Sequence, residues 1–410
     1  MKKIILLLVF APLFLAAQEG MKFEHGLSWK EIQAKAKAEN KYIFMDCFTT
    51  WCGPCTYMTE NIFPTKEAGA FFNANFINVK VQFDTTKNDN EEVKKWFPDM
   101  EAINARYKIR AYPTYLMFNP NGEAVHRAVG SSPVEVFVEK GKDAMDPAKQ
   151  YYPKLKKYEE GDRSAEFLKS FALIAQGAYD LQTANTAATE YIATLTDVYT
   201  KDNLEFISKF TSSSKDQGFA LMLNNAGKVN AVLGPDKAEQ KVMAILLMEK
   251  VYPALSKGLR AKKEPNWDSV QTVLAAYPGY REEALAKGKI VYYQNAKDWS
   301  GFQATIVAYM EKYGAKASPA ELNNYAWTVF ENCKDMSCVA QAMEWSKRSF
   351  RDKPEPMYMD TYANILHKMG RTQEAIAVQE KAVVLADDKS RKTYQDTLEK
   401  MKKGEKTWVD

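Results

Sequence analysis

The stretch Trp51-Cys52-Gly53-Pro54-Cys55 constrains this chain more than any other. Two thiols separated by two residues, one of them proline, can close a small disulfide ring and open it again. A strand ending just before them and a helix starting at Gly53 or Pro54 would set Cys52 at a helix N-terminus. There the unpaired amide N–H groups and the helix dipole favour the thiolate, the form that attacks disulfides. Cys55 would lie one turn further in, less exposed and close behind Cys52, placed to release a mixed disulfide. Taken alone, the spacing also fits half a zinc site or a structural disulfide. The flanking sequence decides between them.

Upstream, residues 41–48 (Lys-Tyr-Ile-Phe-Met-Asp-Cys-Phe) read as a buried strand leading into Trp51, with Asp46 six residues before Cys52. A second strand pattern covers 76–83 and contains Lys80. Tyr112-Pro113-Thr114 precedes a third, Tyr115-Leu116-Met117-Phe118. Asn119-Pro120-Asn121-Gly122 is a turn signal before the last strand, and Gly130 follows. In this order and spacing the landmarks resemble thioredoxin, over about residues 20–147. The resemblance implies an α/β thioredoxin fold, a central mixed sheet flanked by helices. It also implies roles. Cys52 attacks, Cys55 resolves, and Asp46 is a buried carboxylate handling the proton of Cys55, with Lys80 as its partner. Gly53 and Pro54 tune the pair, while Trp51, Tyr112, the cis-proline Pro113 and Gly130 line the client groove. No cofactor is implied beyond the Cys52–Cys55 disulfide, and no metal. Three features depart from the pattern: Thr56 stands where a lysine is usual, Pro64 comes late, and 84–110 is long, with 91–107 read as an added helical excursion.

Lys2 and Lys3 precede an apolar run, 4–15, and then Ala16-Ala17-Gln18, the layout of a secretory signal peptide over 1–17. The alternative, a membrane anchor, needs a run of ~20 residues, so no stable membrane insertion is expected after cleavage. Export to the periplasm of a Gram-negative bacterium, or secretion, is the expectation. A reductant there would need a membrane-linked electron donor, since disulfides persist in that compartment. Basic and acidic residues, 56 and 52, nearly balance, and no basic stripe is interleaved with aromatics, so nucleic acid is not an expected partner. Five cysteines are too few for a disulfide-built fold.

After Asp146-Pro147 the strand-like runs stop. Stretches 166–178, 186–199 and 237–256 carry apolar residues three and four apart and read as amphipathic helices. Stretch 206–234 is broken at Ser212-Ser213-Ser214 and Gly234-Pro235. Trp267-x3-Gln271-x4-Ala276-Tyr277 recurs as Trp299-x3-Gln303-x4-Ala308-Tyr309. Stretch 358–386 resembles a tetratricopeptide unit at Ala363, Leu366, Gly370, Ala375 and Ala382, with Gln379 where that repeat prefers a bulky residue. The expected organisation is therefore a signal peptide (1–17), a thioredoxin-like domain (18–147), and an all-α helical-repeat region. That region divides into a helical part (148–315) and tetratricopeptide-like repeats (316–410), stacked as helix pairs.

Some residues have plainer readings. Cys47 fits the core as a small hydrophobe, Lys80 fits a solvated strand position as well as a paired one, and the three histidines have no metal-like spacing. Cys333-x4-Cys338 lies at a helix–helix turn, where a structural disulfide is preferred over two buried thiols. The functional reading is an exported thiol–disulfide oxidoreductase acting on disulfide-containing client proteins. The alternative is a scaffold that binds clients through its helical repeats without turnover.

Overall fold

The computed structural model describes residues 20–408; the expected signal peptide lies outside them. Helix α1 (Trp29–Glu39) opens on a reciprocal capping box between Ser28 and Glu31 and closes on Asn40 in the left-handed conformation, a stop signal that few residues other than glycine accept as readily. Strand β1 (Tyr42–Phe48) then leads to the cysteine pair and α2 (Gly53–Tyr57). After α2 the helix widens into a π-turn over Met58–Ile62 before Thr65 caps α3 (Lys66–Asn75). Next come β2 (Phe76–Gln82), α4 (Glu91–Lys95), α5 (Phe97–Tyr107), β3 (Thr114–Phe118), β4 (Ala124–Val129) and α6 (Val134–Met145).

β1 pairs parallel with β2 and antiparallel with β3, which pairs antiparallel with β4, so the sheet order is β2-β1-β3-β4. Side chains alternate across a strand, and in β1 this has a chemical consequence. Ile43, Met45 and Cys47 enter one core layer with Ile32 of α1 and Met100 and Ile103 of α5. Phe44 enters the other, against Phe72 of α3 and Phe137 of α6. Its ring centroid lies 4.8 Å from that of Phe72, which stacks on Phe137 at 4.5 Å. Each buried aromatic contributes ~2–3 kcal/mol. Asp46 shares the face of Phe44, so the pleat that puts Cys47 in one core puts a carboxyl in the other.

The excursion 91–107 forms two helices, because Asn90 caps α4 through Val93 N–H at 2.9 Å and Pro98 opens α5. The π-turn accounts for Pro64 coming late. A widened turn bends a helix as a proline does, and Thr59 reinforces it by donating to the Cys55 carbonyl at 3.0 Å.

The sequence change at Asp146-Pro147 is not where the first compact unit ends; that unit runs to Asn203. Helices α7 (Tyr151–Glu159), α8 (Ala165–Gly177) and α9 (Leu181–Ala193) belong to it. β4 would otherwise be an open edge strand, a liability for aggregation. His126 of β4 accepts a hydrogen bond from Tyr151 N–H at 3.3 Å, and Arg127 Nε donates to Ala178 O at 2.6 Å. Helix α8 falls where the apolar periodicity of 166–178 predicts it. α9 starts earlier than 186, because Asp180 caps it through Thr183 N–H.

The second unit, from Leu204 on, is helical among the described residues. Predicted helix 237–256 forms and continues to Ala261 through a π-turn at Leu247–Val251. Trp267 and Trp299 each open a helix, capped by Asn266 and Asp298. In the hairpin of Pro356–Lys368 and Thr372–Leu385, Ala363, Leu366, Ala375 and Ala382 are buried and Gly370 makes the turn at φ +78°. Gln379 is buried too, donating to Asp360 Oδ1 at 2.6 Å and Tyr394 O at 3.1 Å. A polar bridge thus replaces the bulky residue. The preferred Cys333–Cys338 disulfide is corrected: both are free, buried thiols. Cys333 closes the helix Pro319–Asn332 in an extended conformation and donates its thiol to Gln303 Oε1 at 3.2 Å, while Cys338 sits inside the next helix.

Candidate active site

Cys52 is the cap of α2, and its Sγ accepts the Cys55 N–H at 3.1 Å. Pro54 stands in the first turn, where a missing N–H leaves no bond unmade. Cys52 and Cys55 form the one disulfide among the described residues, S–S 2.04 Å. When the ring is open, the same N–H aimed at Cys52 favours its thiolate. Cys52 is 3% and Cys55 4% exposed, so the expected contrast between them is absent in the closed ring. Trp51, 72% exposed, projects beside them and meets Tyr112 edge-on at 5.9 Å.

Tyr112–Pro113 is cis. Pro113 O accepts from Gly130 N–H at 2.9 Å, and Gly130 sits at φ +87°, a conformation that side chains rarely adopt. The carbonyls of Val129 and Gly130 accept from Lys140 Nζ at 3.2 and 2.8 Å. Burial holds the Lys140 ammonium down at about 8.

Asp46 is flanked in register by Lys80 on β2 and Tyr115 on β3. Burial pushes its carboxyl up to about 7, while Lys80, 3.9 Å away, pulls it down less strongly. Lys80 is lowered in turn by burial, against the Asp46 charge that raises it. Asp46 Oδ1 has no hydrogen-bond partner among the described residues, nor has the buried Tyr115 hydroxyl. A carboxyl with one oxygen left unbonded and poised near neutrality can take up a proton and return it.

The structure links Cys52 with Cys55, Trp51 with Tyr112, Pro113 with Gly130 and Asp46 with Lys80, and it adds Thr59, which the sequence did not single out. Lys80 Nζ donates to Thr59 Oγ1 at 2.7 Å, and Thr59 Oγ1 donates to Cys55 O. Thr59 therefore ties the lysine to the backbone of the resolving cysteine and away from Asp46. Its place one turn after Cys55 was the available signal; Lys140, on the far helix α6, offered none. Among the described residues no group of three His, Cys, Asp or Glu side chains is placed to hold a metal.

A mixed sheet of this order, with a Cys-x-x-Cys pair capping the helix after β1 and a cis-proline loop tied to Gly130, defines a thioredoxin-fold protein. Residues 29–144 match the family model of a thioredoxin-like domain. Over 104 residues the chain is 33% identical to thioredoxin AMT13 of Alternaria alternata, covering 25% of this chain and 72% of that one. Over 122 residues it is 30% identical to chloroplastic thioredoxin Y of Oryza sativa subsp. japonica, covering 30% and 60%. The chain belongs to the thioredoxin family, and it spans less than two thirds of the length of the rice relative. It is also similar to the solution structure of a candidate disulphide-isomerase from Bacteroides thetaiotaomicron, at 33% identity over 31% of this chain and 95% of that one, TM-score 0.26.

Proposed function

We propose that this protein is an exported thiol–disulfide oxidoreductase that reduces or isomerises disulfides in client proteins. The observation that carries the reading is the buried Asp46 carboxyl, whose Oδ1 accepts no hydrogen bond among the described residues and which is held at about 7 on the strand that delivers the cysteine pair. A structural disulfide has no use for such a group, whereas exchange chemistry needs a proton acceptor for the resolving thiol.

In the reducing direction the Cys52 thiolate attacks one sulfur of a client disulfide, and the other client sulfur leaves as a thiolate. Cys55 gives its proton to the Asp46 carboxylate and attacks Cys52 Sγ. The second client sulfur then leaves, and two electrons have passed from the pair to the client. In isomerisation a client thiol attacks first and releases Cys52. A membrane-linked dithiol donor reopens the Cys52–Cys55 bond. The Gly53-Pro54 dipeptide supports the reducing direction, and the apolar run 4–15 behind Lys2 and Lys3 supports export.

Trapping tests the reading. The reduced Cys55→Ser protein, mixed with insulin, should accumulate a mixed disulfide that dithiothreitol releases, and Cys52→Ser should not. Equal adducts from both variants, or none from either, would overturn it.

A further inference from the structure

The turn between α8 and α9 is strained at one residue. Tyr179 N–H donates to Gln176 O and Asp180 N–H to Ala175 O, the paired bonds of a helix stop that normally has glycine at the first of these positions. Here a tyrosine occupies it at φ +60°, which is rare for a bulky side chain. Nothing in the packing rewards this, since the ring is 51% exposed. Strain held beside an exposed aromatic is a reason to look for a binding role.

The turn is also pinned from both sides. Arg127 of β4 holds Ala178 O at 2.6 Å, and the Tyr151 hydroxyl donates to Asp180 Oδ2 at 2.7 Å. Between the turn and the segment leading to the cis-proline lies a cleft of about 260 Å³. One wall is Tyr179 and Leu181, the latter 45% exposed. The other is Lys108, Arg110, Ala111 and Thr114. Ala111 and Thr114 bracket Tyr112 and Pro113 in sequence, so this wall of the cleft is the chain that enters and leaves the cis-proline turn. Its floor includes Val129, next to Gly130.

Basic side chains outnumber acidic ones in the cleft. Lys108 and Arg110 are exposed and make no ion pair with a carboxylate among the described residues. The Asp180 carboxylate also lines the cleft and keeps its negative charge, although its oxygens accept from the Tyr151 hydroxyl and from Thr183 N–H at 3.3 Å. Against it stand Lys108, Arg110 and Arg127, so the cleft offers an apolar wall and an excess of positive charge.

We infer that the α8–α9 turn is a client-selecting element, which takes an extended segment of a disulfide-bearing client carrying an apolar or aromatic residue beside an acidic one. This rests on the exchange activity proposed above and names the substrate class of that same site. Tyr179 and Leu181 contact the apolar side chain, and Lys108 and Arg110 the carboxylate. The pinned turn has its binding shape before the client arrives, so little ordering is required on association.

Short peptides with one cysteine blocked as a mixed disulfide with thionitrobenzoate test this. Phe-Asp, Phe-Asn or Ser-Lys is placed at successive positions on either side of the cysteine, and the second-order rate constant for thionitrobenzoate release is measured with the reduced full-length protein in excess over peptide. Wild type should favour Phe-Asp over Ser-Lys roughly tenfold in at least one register. Tyr179→Gly should reduce that ratio to about twofold or less while raising the thermal midpoint, which shows that the variant is folded and the strain relieved. Arg110→Gln should remove the preference for Phe-Asp over Phe-Asn alone. No preference in any register, or a preference intact in Tyr179→Gly, would overturn the inference. Reduction of dithiobisnitrobenzoate by wild type separates the two readings: if that fails as well, the exchange activity is what falls.

Discussion

Replacing Asp46 with asparagine should stabilise the fold, and by more the higher the pH. Burial holds the carboxyl at about 7, against an ordinary 3.8 for the unfolded chain. Between those values the folded protein keeps a proton that the unfolded chain has released, so rising pH favours unfolding. At ~1.4 kcal/mol per pH unit across that interval, the ionised group costs the fold about 4 kcal/mol. The stability that a protonated Asp46 allows is thus fully present below 3.8 and lost as pH rises through about 7. Asparagine has the same shape and no charge to desolvate. Urea unfolding of both proteins, with the pair reduced, should show a gap near zero slope below about pH 4 that widens by about 4 kcal/mol towards pH 8. The titration of His126, whose imidazole burial lowers to about 4 without a contribution from Asp46, occurs in both proteins and cancels in the difference. A gap that stays flat with pH, or one that narrows as pH rises, would refute the claim that burial outweighs the Lys80 charge at Asp46.

Thr59→Val should free Lys80 to approach Asp46 and lower its carboxyl by ~1 pH unit; a carbon-13 titration of Asp46 that is unchanged in the variant would show that Thr59 does not hold the lysine. A chain ending near Gln150 loses the Arg127–Ala178 and His126–Tyr151 hydrogen bonds. At ~1 kcal/mol each, these should lower the thermal midpoint by ~4–8 °C relative to a chain ending after Thr200; equal midpoints would show that α7–α9 are not part of the folding unit. Equilibration with glutathione and dithiothreitol buffers should give the Cys52–Cys55 pair a potential below about −180 mV, and a higher value would make the protein an oxidant.

The landmarks shared with thioredoxin carried most of what the sequence revealed about the site. Asp46 was singled out by its offset of six residues from Cys52, and Cys47 as a small core hydrophobe. What stayed hidden depends on single long-range bonds that leave no periodic trace. Arg127 reaches Ala178 across 51 residues, a contact that the loss of strand patterns after Asp146-Pro147 does not announce. The role of Thr59 depends on a π-turn, a register change that apolar spacing does not report. Tyr179 was invisible because its left-handed backbone contradicts local preference. Cys333 and Cys338 have a spacing that permits a bond, but the Gln303 acceptor that engages Cys333 comes from another helix.

The central claim is that Cys52 and Cys55 exchange disulfides with clients, and steady-state reduction of a protein disulfide tests it most directly. Insulin reduction with dithiothreitol as the limiting donor should be accelerated by the wild-type protein. Cys52→Ser should leave only the rate seen without protein, and Cys55→Ser should stop after forming a mixed disulfide. A Cys52→Ser protein as active as wild type would contradict the account.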